Sequence, residues 1–218
     1  KKMSMKYDFT TILNREGTGA IAVSKIPFDN AEIKEGFSKI PMWVADMNYA
    51  TAPSVIEAIQ NRLAHPVFGY FDIKDAYSES IIEWQKIRNG VTDIPKEAID
   101  YENGVLGGVS SVLQAFTAPG EAILLHSPAY IGFIGTITNM GRKIVYSPLK
   151  KDEQGVWRMD YEDMDKKLKE NHIHLAIFCS PHNPSGRVWE REEIEAAMEV
   201  YRKNDCIVIS DEIWSDLT

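Results

Sequence analysis

The sequence predicts an α/β fold, a three-layer sandwich around a mostly parallel sheet, with an amino-terminal arm contributing to a smaller domain. Two observations carry this expectation. From Gly104 onward, short apolar runs bounded by turn residues alternate with segments whose apolar residues recur at helical spacing, the rhythm of βαβ units. The runs at 175–179 and 206–210 are apolar at nearly every position, as strands are when helices cover both faces of a parallel sheet.

Residues 1–50 form the arm, rich in Lys, Pro and Gly, with a short strand expected around Pro41-Met42-Trp43-Val44-Ala45-Asp46-Met47. Residues 51–218 form the large domain. Val55, Ile56, Ile59 and Leu63 recur at helical spacing, and Pro53 suits a first helical turn, so 53–64 is a helix. A second helix, about 73–89, carries Tyr77, Ile81, Ile82 and Trp84 on one side, and Gly69-Tyr70-Phe71 is the loop between them. Gly104-Val105-Leu106-Gly107-Gly108 opens a helix that Pro119-Gly120 closes. Strand 122–126, a loop at Ser127-Pro128-Ala129-Tyr130, helix 131–140 and strand 143–147 follow, with Lys150-Lys151 in a turn. Helix 161–171, strand 175–179, helix 190–203 and strand 206–210 complete the pattern. Because the last strand stands next to Thr218 with no covering element after it, the chain is expected to be the amino-terminal portion of a longer protein.

With 218 residues, 44% of them hydrophobic, the chain has the composition of a soluble globular protein with a large core. The net charge of −8, with Lys and Arg scattered among acids, carries no nucleic-acid or anionic-membrane footprint. Cys179 and Cys206 both sit in apolar runs and read as buried free thiols, in keeping with a reducing cytoplasm. No apolar stretch approaches the ~20 residues of a membrane helix. Lys1-Lys2-Met3 leads to no signal-peptide core, and Met3 or Met5 is the expected initiator. The five histidines show no metal-ligand spacing with the cysteines, so no metal is expected.

Two motifs bear on chemistry. Ser180-Pro181-His182-Asn183-Pro184-Ser185-Gly186-Arg187 follows one apolar run, and Ser210-Asp211-Glu212-Ile213-Trp214 ends another. Both belong in the crevice beyond the carboxyl ends of strands, where open α/β sheets bind ligands. Asn183 is either a turn former or an amide offered to a ligand, and Asp211 either a cap or a carboxylate partner. The glycines around Val105 and Leu106, just before a helix, could bind phosphate through main-chain N–H groups, although their spacing fits neither the phosphate-loop nor the dinucleotide fingerprint. Tyr130 is a core or surface tyrosine on its own terms.

Taken together, these motifs resemble the fold-type I pyridoxal 5′-phosphate enzymes of the class I/II aminotransferase superfamily. Pro-Met-Trp-Val-Ala-Asp-Met, Val-Phe-Gly-Tyr and Asn-Pro-Ser-Gly-Arg-Val-Trp are most similar to its cystathionine β-lyase-type C–S lyases. The resemblance implies that Asp211 pairs with the cofactor's pyridine nitrogen and that Asn183 bonds its 3′-oxygen. It implies further that Tyr130 stacks on the ring and that Val105 and Leu106 hold the phosphate. Tyr70 would reach the phosphate of the other subunit in a homodimer, and Ala45 would meet the carboxylate of an amino acid substrate. The implied reaction cleaves cystathionine or a related cysteine S-conjugate to pyruvate, ammonia and a thiol. An aminotransferase, or a non-catalytic module retaining the pocket, are the alternatives. The family's Schiff-base lysine and carboxylate-binding arginine are expected beyond Thr218. The lyase branch usually has His where this chain has Trp214.

Overall fold

In the computed structural model, which describes residues 7–27, 32, 34–37 and 40–217, the elements run α1 (Ile21–Ser24), α2 (Pro53–Leu63), α3 (Asp75–Asn89), α4 (Val105–Phe116), β1 (Ala122–Ser127), α5 (Ile131–Asn139) and β2 (Lys143–Pro148). There follow β3 (Lys150–Lys151), β4 (Trp157–Arg158), α6 (Tyr161–Glu170), β5 (Leu175–Cys179), α7 (Arg191–Lys203) and β6 (Ile207–Asp211). Contacts divide the chain into two units, Lys1–Lys74 and Asp75–Thr218. The expected initiators Met3 and Met5 lie outside the described residues, as does Thr218.

The second unit contains the sandwich. Its four-stranded sheet has the order β2-β1-β5-β6, with every pairing parallel. Side chains of a strand alternate between faces, and here the alternation divides the core in two. Ile123, Leu125, Leu175, Ile177 and Cys179 pack on one face with Val109 and Leu113 of α4 and Phe133 and Ile137 of α5. Leu124, Ala176 and Phe178 pack on the other with Met164 and Leu168 of α6 and Ala197 and Tyr201 of α7. All of β5 is buried, as a central strand covered on both faces must be, which accounts for its unbroken apolar run.

Local chemistry places the helices. Asp160 caps α6 by accepting from the Asp163 N–H, and Glu190 and Glu193 form a reciprocal capping box at the start of α7. Arg142, itself buried, donates to the carbonyls of Leu113, Thr117 and Met140 and so satisfies acceptors where α4 and α5 end.

Three expectations need correction. Residues 41–47 form no strand: the segment is irregular, its Asp46 carboxylate bound to Arg15 and its Trp43 indole donating to the Ala22 carbonyl, so it has side-chain anchors instead of a ladder. Lys150-Lys151 is not a turn but a strand, paired antiparallel with Trp157–Arg158, and the turn lies at Asp152, which accepts the Gln154 and Val156 N–H groups. The last strand is shifted by one residue, so Asp211 belongs to β6 and stands opposite Cys179. In addition, the apolar side of α2, Val55, Ile56, Ile59 and Leu63, remains exposed.

A buried polar pair ties β1 to α7. His126 sits near the end of β1, its Nδ1 donating to the Ser147 carbonyl at 3.4 Å. A carbonyl can only accept, so Nε2 carries no proton and accepts from the Tyr201 hydroxyl at 3.2 Å. Tyr201→Phe should therefore leave a buried imidazole nitrogen without a partner and cost ~1–3 kcal/mol. Urea denaturation of the full-length protein checks this, the expected result being a lower midpoint at unchanged slope.

Candidate functional site

Strand order reverses between β1 and β5, because the chain leaves β1 toward β2 on one side and resumes at β5 on the other. Loops after the two strands separate there and open a crevice at their carboxyl ends. A cleft occupies that position, lined by Leu125 and His126 of β1, Ala129 and Tyr130 of the following loop, Phe133 of α5, Ile177 and Cys179 of β5, and His182 and Asn183 of the next loop. Tyr130 and Asn183, expected from sequence to share a site, do so.

Tyr130 is the N-cap residue of α5, and its ring meets Phe133 edge-on with centroids 5.4 Å apart. Gly132 makes room for it, since a Cβ there would lie 2.3 Å from the Tyr130 ring and 3.0 Å from a Leu106 methyl. Leu106, in the first turn of α4, is thus brought beside Tyr130. Gly104 precedes that helix with φ +78°, a conformation natural to glycine, and provides no side-chain cap. The first N–H groups of a helix have no intrahelical partner, so those of Val105 and Leu106 are available to an anion, favoured by the helix dipole.

Asn183 follows His182, whose N–H donates to the Arg187 carbonyl at 2.7 Å, and the Cys179 thiol donates to the Pro181 carbonyl at 3.2 Å just before it. The Asn183 side-chain amide engages no group among the described residues. Asp211 reaches the same region through the sheet: Cys179 and Asp211 are register partners, and the Ser180 N–H donates to the Asp211 carbonyl at 3.0 Å. The carboxylate is buried, 7% exposed. It accepts the Ile213 N–H at 3.0 Å, so the capping role open to it in the sequence is real. Among the described residues, no Lys or Arg lies within salt-bridge range of this buried anion. Glu212, by contrast, is exposed and accepts from the Ser210 hydroxyl.

Three cleft residues had no role in the sequence reading: His126, Cys179 and His182. Their signal was position alone, at or just beyond the ends of β1 and β5. Burial pushes the Cys179 thiol up to about 11, so it stays a neutral thiol. Desolvation lowers His126 and His182 to about 4, and both are neutral at pH 7. Tyr70 and Ala45 belong to the first unit, where both are exposed. The cleft therefore presents a phenol, an amide and two neutral imidazoles, with a carboxylate and a helix N-terminus adjoining it. Such a set suits a flat, polar aromatic ligand that bears an anionic group.

Comparison with known proteins agrees. The family described as aminotransferase class I and II matches residues 38–218. Cystathionine beta-lyase PatB of Bacillus subtilis is 37% identical over 178 residues, covering 82% of this chain and 46% of that protein. Cystalysin from Treponema denticola, whose crystal structure contains pyridoxal 5′-phosphate, superposes with a TM-score of 0.86 at 32% identity over 96% of this chain and 52% of its own. The pyridoxal-phosphate-bound C–S lyase of Staphylococcus hominis gives 0.83 and 32%, over 95% and 51%. The chain thus spans about half the length of the relatives it matches.

Stability should respond to the two histidines. In the unfolded chain each titrates near 6.5, whereas in the fold each titrates near 4. Between these values the unfolded state binds more protons, so the contribution is full above about pH 6.5 and is lost as pH falls toward 4, ~3 kcal/mol for each across the window. The urea midpoint at pH 5 is expected below that at pH 7. A midpoint that is flat from pH 7 to 4.5 contradicts the neutral pair.

Proposed function

This chain belongs to the class I and II aminotransferase family, and from that premise we propose that it is part of a pyridoxal 5′-phosphate-dependent C–S β-lyase. Its substrate is cystathionine or a related cysteine S-conjugate, and its products are pyruvate, ammonia and a thiol. The observation that carries the reading is the buried, cation-free carboxylate of Asp211 beside a cleft holding the unengaged amide of Asn183 and the ring of Tyr130. A buried carboxylate needs a cationic partner, and a protonated pyridine nitrogen supplies one. The donor set fits the cofactor. The preference for a lyase over an aminotransferase rests on the similarity to PatB and the S. hominis enzyme.

When bound, the cofactor supplies an electron sink for the carbanion formed at the substrate's α-carbon. Asp211 would keep the proton on the pyridine nitrogen, and Asn183 would donate to the ring oxygen. Tyr130 would cover the ring and exclude water from that side, while the N–H groups of Val105 and Leu106 would take the phosphate. Among the described residues no lysine lines the cleft, and the amine that would join the cofactor is proposed to come from elsewhere in the full-length protein. In the same reading residues 1–50 are an arm of the smaller domain and 51–218 the cofactor-binding large domain. Tyr70 would serve the phosphate of the partner subunit in a homodimer, the Ala45 backbone would meet the substrate carboxylate, and the enzyme would work in the cytoplasm.

The full-length protein, given pyridoxal 5′-phosphate and L-cystathionine without any 2-oxo acid, should release pyruvate and a thiol. Asp211→Ala should lower kcat at least ~100-fold, the scale of losing one charge-stabilising group. Amino-group transfer to an added 2-oxo acid with no pyruvate would overturn the lyase assignment. Gly132→Ala should displace Tyr130 and weaken cofactor retention while leaving the fold intact, measured by cofactor release on dialysis and by circular dichroism.

A further inference from the structure

We propose that His182 is a positioning residue for Asn183, its ring bonded to Ser185 and seated on Trp189 so that the loop after β5 can point the Asn183 amide only into the cleft. This rests on the cofactor-site reading above and extends it to a residue that touches neither ring nor phosphate in that reading.

The geometry is a closed ring of residues 182–187. The His182 N–H donates to the Arg187 carbonyl and the Gly186 N–H to the His182 carbonyl, both at 2.7 Å. Gly186 takes φ +73°, the left-handed conformation that lets the chain turn back. Inside the ring, His182 Nδ1 and the Ser185 hydroxyl are 2.7 Å apart, and the Arg187 N–H donates to the same hydroxyl oxygen at 3.3 Å. The Ser185 oxygen accepts from the Arg187 N–H and keeps both its hydrogen and a second lone pair for Nδ1, so the bond holds with either neutral tautomer of His182.

The ring is anchored to the sheet through Trp189. His182 meets the indole edge-on with centroids 5.9 Å apart, and Trp189 Nε1 donates to the Cys179 carbonyl at 2.9 Å. Arg187 lies over the indole at 5.0 Å and is bound to the Trp157 carbonyl and to Glu193. With the Cys179 thiol on the Pro181 carbonyl and the His182 N–H on the Arg187 carbonyl, the backbone leading into Asn183 is fixed.

Packing alone does not account for an imidazole here. A phenyl ring would fill the space against Trp189 without the desolvation that holds His182 at about 4. What imidazole adds is a hydrogen-bonding nitrogen at Nδ1, one residue before Asn183.

The test uses the full-length protein. His182→Phe keeps the contact with Trp189 and removes the nitrogen that bonds Ser185. Ser185→Ala removes the same bond from the other side with little change in packing, and serves if the first variant does not fold. Crystal structures of both without cofactor should show the Asn183 side chain turned from the cleft or disordered. In the cofactor-loaded protein, a hydrogen bond donated to the ring oxygen favours its anion. The pH midpoint of the visible absorption change should therefore rise by about one unit, tenfold in the proton equilibrium, in either variant and in Asn183→Ala. Combined with Asn183→Ala, His182→Phe or Ser185→Ala should add nothing further.

Two results would overturn the inference: Asn183 unmoved in the crystal structure of a folded variant, or a midpoint shift that persists in the Asn183→Ala background. If the protein takes up no pyridoxal 5′-phosphate, the cofactor reading fails, and the cofactor-free crystal structures still decide whether His182 directs Asn183.

Discussion

The parallel pairing of β5 with β1 on one side and β6 on the other is the constraint on which the rest depends. Because β5 is hydrogen-bonded on both edges and covered on both faces, its end is a fixed point. Cys179 occupies that point, and every other piece of the candidate site is registered to it. Asp211 is its partner across the ladder, its thiol donates to the Pro181 carbonyl at the start of the Asn183 loop, and Trp189 bonds its carbonyl. A slip in the β5–β6 register would turn Asp211 to the opposite face of the sheet.

Around this point the fold tolerates unusual electrostatics. A carboxylate and two histidines are buried within the same region, and among the described residues none of the three has a paired side chain of opposite charge. The histidines meet the cost by staying neutral, each with a hydrogen-bond partner. Among the described residues the Asp211 carboxyl accepts the neutral Ile213 N–H and has no cationic side chain beside it, the place that the proposed cofactor's pyridine nitrogen would take. Cation-rich networks exist elsewhere, at Arg158, Asp152, Glu193 and Arg187, where they hold the β3–β4 hairpin and the start of α7. The site itself stays free of them.

The first unit is organised differently. Among its described residues Ala22 is the one buried apolar side chain, whereas the apolar side of α2 and the loop residues Phe68, Tyr70 and Phe71 are exposed. The periodicity of α2 was sufficient to form a helix, since propensity and first-turn proline act locally. Burial of its stripe is a separate matter that local sequence does not control.

Much of the second unit was legible in the sequence because its determinants are local or periodic. The apolar run of β5 and the helical spacing of α4 each act within a few residues. The octet around Asn183 and the Ser-Asp-Glu around Asp211 could likewise be placed at strand ends. Sequence alone left other matters undecided. Whether Asp211 closes its strand or begins a turn depends on pairing with Cys179, more than thirty residues away. The Lys150–Lys151 strand exists only because Trp157–Arg158 returns to pair with it, and the 41–47 segment is no strand because no such partner meets it. His126, Cys179 and His182 entered the cleft through the reversal of strand order between β1 and β5, and owe their protonation to burial against Tyr201, Ser185 and Trp189. Strand pairing and desolvation are properties of residues distant in the chain, and only the tertiary structure brings them together.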